Sequence, residues 1–162
     1  MEIRNITPAD VPALLALNNA EAERVNALTT EALEGLLSRA FAARMAADGA
    51  QGVVAFLIAF DHATPPQGPN HAWFTARESY FAYIDRVVVA PSARGKGLAR
   101  ALYEDLAKIA LAEQTHLLTC EVNLDPPNPE SMAFHEKLGF MPCGEAVDRR
   151  NGKRVQYFRK VI

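Results

Sequence analysis

Three observations predict a mixed α/β domain. Gly52 to Phe60 is a continuous apolar run, short enough to be a strand buried on both faces. Tyr83-Ile84-Asp85-Arg86-Val87-Val88-Val89 is rich in the β-branched and aromatic residues that suit a pleated strand. It leads through a glycine turn into a stretch where Leu98, Leu102, Leu106, Ile109 and Ala110 recur at helical spacing, so residues 97 to about 113 read as an amphipathic helix. Asn151-Gly152, between the runs 140–149 and 153–161, is the strongest short hairpin signal in the chain.

The other elements follow in order. Residues 2–6 alternate as a short strand, and Thr7-Pro8-Ala9-Asp10 carries the cap-and-proline signature of a helix running through Leu14, Leu15 and Leu17. A second helix is expected near 30–47, capped by Thr29 or Thr30, with Leu33, Leu36, Leu37, Ala40, Phe41 and Met45 as its apolar stripe. Between these helices, Ala20 to Leu28 is a polar connection. After the strand at 52–60, residues 61–70 are dense in turn formers and 71–78 read as a short aromatic helix. A connection of this length suggests either a lid or acceptor-binding wall over 61–79, or a surface excursion pinned by Trp73 and Phe74. Residues 116–123 alternate as a strand, and 130–138 form a helix that follows Asp125-Pro126-Pro127-Asn128-Pro129 and stops at Gly139.

Length and composition limit the functional classes. At 162 residues the chain is expected to be a single domain, residues 1–162, with one core. Seventeen Lys and Arg against 19 Asp and Glu give a formal charge of −2, so nothing global argues for nucleic acid or an anionic membrane as partner. Two cysteines, Cys120 and Cys143, lack zinc-site or disulfide-framework spacing, and the four histidines lack metal-ligand spacing. With no leader-like start and no run of ~18 apolar residues, the expectation is a soluble, cytoplasmic protein.

Arg94-Gly95-Lys96-Gly97-Leu98-Ala99 is a candidate phosphate cradle. The helix that opens there offers unpaired N–H groups and the positive end of a dipole; the glycines allow close approach, and Arg94 and Lys96 add charge. A dinucleotide fingerprint is incomplete, because Arg100 occupies its last glycine position. A P-loop is the less attractive reading as well, because no G-K-[ST] appears: Gly97 is followed by Leu98.

Two segments in order resemble the GNAT superfamily of acyl-CoA-dependent N-acyltransferases. The strand Ile84 to Val89 with Arg94 to Ala99 is similar to the family's R/Q-x-x-G-x-G/A loop. Asn128, Ser131, Phe134-His135 and Gly139-Phe140 are similar to its N-x-x-A-x-x-F-Y-x-x-x-G-F segment. The resemblance covers about residues 82–140. It implies a central mixed, mostly antiparallel sheet, flanked by helices and splayed between its fourth and fifth strands. It also implies acetyl-CoA as donor, without a metal: backbone groups of Val87, Val88 and Val89 on the pantetheine arm, Arg94, Gly95, Lys96, Gly97, Leu98 and Ala99 on the pyrophosphate, and Asn128 and Ser131 beside the pantetheine. The implied activity is acetyl transfer by direct attack of an amine, from a small molecule or a peptide N-terminus. A non-catalytic acyl-CoA sensor and transfer of a longer acyl group are the competing readings.

The candidate catalytic groups are Asp85 and His135. Asp85, on the central strand, either acts as a base through water or is ion-paired with Arg77, Arg149 or Arg154; Arg86 does not share its face in a regular strand. His135 replaces the family's usual Tyr and is either a proton donor or a spacer beside the cofactor, with acid catalysis then coming from Tyr80, Tyr83, Tyr103 or water. Glu21, Trp73 and Glu121 are candidate acceptor-binding residues, against solvated acids and a packed ring. Cys120 reads as core. Terminal strands left as edges can pair with a second copy, which makes a homodimer a candidate assembly.

Overall fold

The computed structural model describes residues 1–162. Seven strands follow the order β1-β2-β3-β4-β5-β7-β6 in a mixed sheet accompanied by helices. The chain divides into two compact units: Met1–Phe60 with Ile84–Ile109, and Asp61–Tyr83 with Ala110–Ile162.

The first unit begins with β1 (Glu2–Asn5) and a 3-10 turn, Pro8–Asp10, that runs into α1 (Val11–Ala20). Asp10 organises this start. Its carboxylate accepts two guanidinium bonds from Arg4, each 2.8 Å long, and the Thr7 amide at 2.7 Å. These donors hold the Asp10 carboxyl well below the usual carboxylate range. α2 (Thr30–Arg39) is capped by Thr29, whose hydroxyl accepts the Ala32 amide. The helix expected over 30–47 ends here, because Ala42–Asp48 is a strand, β2, paired antiparallel with β1 and with β3 (Gly52–Asp61). The Ala-Arg-Met-Ala-Ala composition favours helix locally, but ladders on both sides, with Met45 and Ala46 fully buried, outweigh that preference. β3 is buried on both faces from Val54 to Phe60, as its unbroken apolar run requires.

β4 (Ala82–Val89) continues into a second 3-10 turn, Pro91–Ala93, and then α4 (Leu98–Ala112). Leu102 and Leu106 of α4 are fully buried, and a bidentate pair from Arg44 to Asp105, at 2.7 and 3.1 Å, ties β2 to this helix.

The second unit is built on β5 (Leu117–Asp125), β6 (Met141–Val147) and β7 (Arg154–Val161). β7 pairs antiparallel with both of the others. The start of β4 joins β5 in a parallel ladder confined to Ala82↔Leu118 and Tyr83↔Thr119, although β4 itself runs on to Val89. This is the parting expected between the fourth and fifth strands. α3 (Pro69–Thr75) lies in the long β3–β4 connection, and α5 (Pro129–Lys137) follows β5. Phe74, Phe81, Phe140, Tyr157 and Phe158 fill the core of this unit. The β6–β7 turn is wider than the two-residue hairpin suggested by Asn151-Gly152. Asp148 organises it, its carbonyl accepting the Gly152 amide at 2.7 Å and its carboxylate the Arg150 amide at 2.9 Å. No helix is long and apolar enough to cross a membrane.

Candidate active site

In the first unit the loop Arg94 to Ala99 leads from the 3-10 turn at Pro91–Ala93 into α4. Gly95 and Gly97 adopt φ of 74° and 77°, a left-handed conformation that disfavours side chains. A Cβ built on either would meet no atom within 4 Å, so the space over the loop is open to a ligand. Ala101 makes the first intrahelical bond, to the Gly97 carbonyl, which leaves the amides of Leu98, Ala99 and Arg100 ahead of the ladder. Lys96 is exposed beside them. Left-handed glycines, leading amides and a cationic side chain suit the diphosphate of coenzyme A. Of the three valines upstream, Val88 is buried while Val87 and Val89 are half-buried.

Arg94 does not stand alone. Its Nη2 lies 2.7 Å from Oε2 of Glu21, the expected acceptor ligand, and Arg24 stands 3.7 Å from the same oxygen. Asp85 is also engaged: Arg86 Nε donates to its Oδ2 at 2.8 Å. A regular strand would send these neighbours to opposite faces, but the Arg86 guanidinium reaches the Asn18 Oδ1 at 2.9 Å and the Asn26 carbonyl at 3.3 Å through Nη1 while its Nε meets Asp85. The partner of Asp85 is therefore Arg86, not Arg77, Arg149 or Arg154.

The second unit gathers a polar cluster around Glu121. The Tyr83 hydroxyl lies 2.9 and 2.8 Å from the two carboxylate oxygens, and Asn70 Nδ2 donates to Oε1 at 3.1 Å. The Tyr157 hydroxyl donates to Asn70 Oδ1 at 2.8 Å, which sets the orientation of that amide. Burial, reinforced by the Glu121 charge, pushes the Tyr157 phenol up to about 12, so it remains a donor at neutral pH. Aromatic rings frame the cluster: His71 stacks on Tyr83 with centroids 5.3 Å apart, and Trp73 stacks on Tyr157 at 4.1 Å. The Arg77 guanidinium lies 3.9 Å from the Trp73 centroid, a cation–π geometry. Trp73 is thus half-buried between Arg77 and Tyr157, flat against β6 at Gly144.

His135 sits in packed surroundings on α5. Its ring stacks on Phe158 and meets Phe134 and Phe140 edge-on, and Nδ1–H donates to the Ser131 carbonyl at 2.7 Å. Burial lowers its pKa below the ordinary imidazole value and favours the neutral ring. Asn128 caps α5, accepting the Ser131 amide at 3.2 Å. Cys120 is buried, and burial pushes its thiol well above the usual range.

Sequence reasoning named Glu121, and Tyr83 as an alternative acid, but not their contact with each other or with Asn70. Tyr83 was visible as a strand residue; Asn70 stands 51 positions from Glu121, and no local pattern joins them.

The acetyltransferase (GNAT) family model matches residues 30–140. A curated relative, glucosamine 6-phosphate N-acetyltransferase from Trypanosoma brucei brucei, is 40% identical over 67 residues; the match covers 41% of this chain and 42% of that protein. The crystal structure of a ribosomal-protein-alanine N-acetyltransferase from Brucella melitensis matches with TM-score 0.74 and 27% identity, covering 100% of both chains. That of Naa20 from Chaetomium thermophilum, in complex with a bisubstrate analogue, has TM-score 0.78 at 19% identity over 100% of this chain and 87% of that one, a likeness of fold alone. A glycine loop open to a diphosphate, a parted β4–β5 ladder and a family model that spans well over half the residues agree, and the chain belongs to the acetyltransferase (GNAT) family of N-acyltransferases.

Proposed function

We propose that this chain is an acetyl-CoA-dependent N-acetyltransferase, acting as one domain over residues 1–162, whose acceptor is the amine of a small molecule or of a peptide N-terminus. The observation that carries this reading is the loop Arg94 to Ala99, with its two left-handed glycines and open approach at the head of α4. Bound acetyl-CoA supplies an activated acetyl thioester. Arg94, Lys96 and the amides from Gly95 to Ala99 would hold its diphosphate, and backbone groups of Val87 to Val89 would hold the pantetheine arm, with Asn128 and Ser131 in the supporting role the family resemblance implies.

An amine attacks the thioester only as the neutral base, so the protein must hold the amine near the acyl carbon, and the proton it sheds passes through water to the departing thiolate. Glu121 is the best-prepared carboxylate for holding the amine. Tyr83 and Asn70 fix its rotamer, so little side-chain entropy remains to be lost on binding. Asp85 holds Arg86 and through it the α1–α2 connection, which supports a positioning role for this residue. His135, neutral and committed through Nδ1–H to Ser131, is poorly placed to supply a proton as imidazolium; its surroundings support a packing role on α5.

Acetyl-CoA is expected to raise the thermal midpoint by ligand linkage, and free thiol should appear with an amine panel that includes alanine-initiated peptides and glucosamine 6-phosphate. A midpoint unmoved by saturating acetyl-CoA refutes the donor assignment. Donor binding without thiol release over the panel supports the sensor reading instead. Faster release from a longer acyl-CoA than from acetyl-CoA shifts the donor class.

A further inference from the structure

Glu21 occupies the guanidinium that the donor loop needs. It sits just beyond α1, and its side chain retains only 10% exposure, against 34% for Arg94. A carboxylate oxygen on a guanidinium N–H is the same kind of partner as a phosphate oxygen, an anion accepting a charge-assisted bond. The segment that presents Glu21 is held firmly. Asn19 donates to the Leu28 carbonyl and accepts the Leu28 amide, both at 2.9 Å; Asn18 Nδ2 donates to the Asn26 carbonyl at 3.0 Å, and Arg86 reaches that same carbonyl. Arg94, by contrast, follows a 3-10 turn, precedes two left-handed glycines and is the more exposed partner.

We propose that Glu21 is an intramolecular stand-in for the donor's diphosphate. It holds Arg94 in the donor-free enzyme, and the diphosphate displaces it. The inference rests on reading Arg94 to Ala99 as the diphosphate grip. Breaking the Glu21–Arg94 pair subtracts from donor affinity, and it returns an acidic side chain, flanked by Arg24, to the α1–α2 connection only once the donor has arrived. Donor binding is thereby coupled to the charge of the α1–α2 connection, at Glu21, which is itself a candidate acceptor-binding residue.

Calorimetric titration of the full chain with coenzyme A and with dephospho-coenzyme A tests this. Glu21→Gln is expected to bind both ligands about three- to tenfold more tightly than the parent, the range of a partly screened charged hydrogen bond. The gain should shrink as salt rises and should vanish in an Arg94→Ala background. Glu21→Asp, which keeps the charge but shortens the reach, should move affinity in the same direction, and ligand-free melting of each variant verifies folding. Unchanged or weaker binding by both Glu21 variants, with Arg94→Ala still weakening binding, overturns the proposal and leaves the grip intact. An Arg94→Ala variant that binds normally overturns the grip and the proposal with it. A gain that persists without Arg94 overturns the pairing, and one seen only with the 3′-phosphorylated ligand overturns its assignment to the diphosphate.

Discussion

The Tyr83 hydroxyl bridges both carboxylate oxygens of Glu121, at 2.9 and 2.8 Å, while the Tyr83 ring lies parallel to that of His71, 5.3 Å away. One side chain therefore couples the orientation of the candidate acceptor carboxylate to the packing of α3. The hydroxyl fixes the charge and the ring fixes the hydroxyl.

Tyr83→Phe separates these roles, since it keeps the ring and removes the donor. It is expected to cost about 1.5–3 kcal/mol of stability, the range for a hydrogen bond to a charged group, read by urea denaturation. With any amine that turns over, KM for the acceptor should rise while coenzyme A affinity stays at the parent value. A shift in coenzyme A affinity instead would contradict a role confined to the acceptor.

Gly144→Ala probes how Trp73 is seated. A Cβ at Gly144 would come within 2.8 Å of Trp73 Cη2 and closer still to Cζ2, so the indole must leave the strand or the strand must bend. Overpacking of this kind costs about 1–3 kcal/mol. Trp73 is the sole tryptophan, so its emission should change along with the denaturation midpoint. An unaltered spectrum with parent stability would refute the tight seating.

Asn18→Ala removes a fully buried side chain that accepts from Arg86 and donates to the Asn26 carbonyl. Losing these bonds, together with the one Asn18 Nδ2 donates to Asn19 Oδ1 at 3.0 Å, is expected to cost about 1–3 kcal/mol. Hydrogen exchange should accelerate over residues 21–29 more than over β2 or β3. Uniform acceleration across the unit would argue for global destabilisation.

His135 predicts a pH dependence of stability. Its folded pKa lies below the unfolded value of 6.5, so the unfolded chain binds the proton more readily. This contribution is fully present above about 6.5 and declines as pH falls from there through the folded value. Asp10 and Asp148, both depressed by arginine partners, lose their contributions only as pH falls below their unfolded value of 3.8. His135→Phe, which preserves the stack on Phe158, should flatten melting temperature against pH between pH 7 and 5 and leave the more acidic slope unchanged. The same slope in parent and variant would place the titration elsewhere.

The loop proposed to hold the donor was legible because its information is local. Strand, glycine loop and helix head are contiguous, and positive φ at Gly95 and Gly97 follows from residue type. β3 and α5 were equally readable, each carrying its own period or cap. β2 was not: Ala42 to Asp48 has the composition of a helix and becomes a strand only because β1 and β3 flank it. The pairing of Asp85 with Arg86 escaped the two-residue strand rule for a similar reason, because Asn18 and Asn26, far away in sequence, determine where the guanidinium goes. The polar cluster around Glu121 joins residues from α3, β4, β5 and β7, and no sequence window contains it.

His71 has a consequence for how this protein can diverge. Its Nδ1 accepts the Gln67 amide at 3.0 Å and its Nε2–H donates to the Asp61 carbonyl at 3.0 Å, which closes the β3–β4 excursion at its base. The Ala63 amide and the Thr64 hydroxyl also bond to the Asp61 carboxylate, at 3.0 and 3.3 Å, which tightens the turn that follows β3. Substitutions in the turn beyond this clasp can therefore vary the surface of the excursion while His71 keeps its base closed beside the cluster around Glu121.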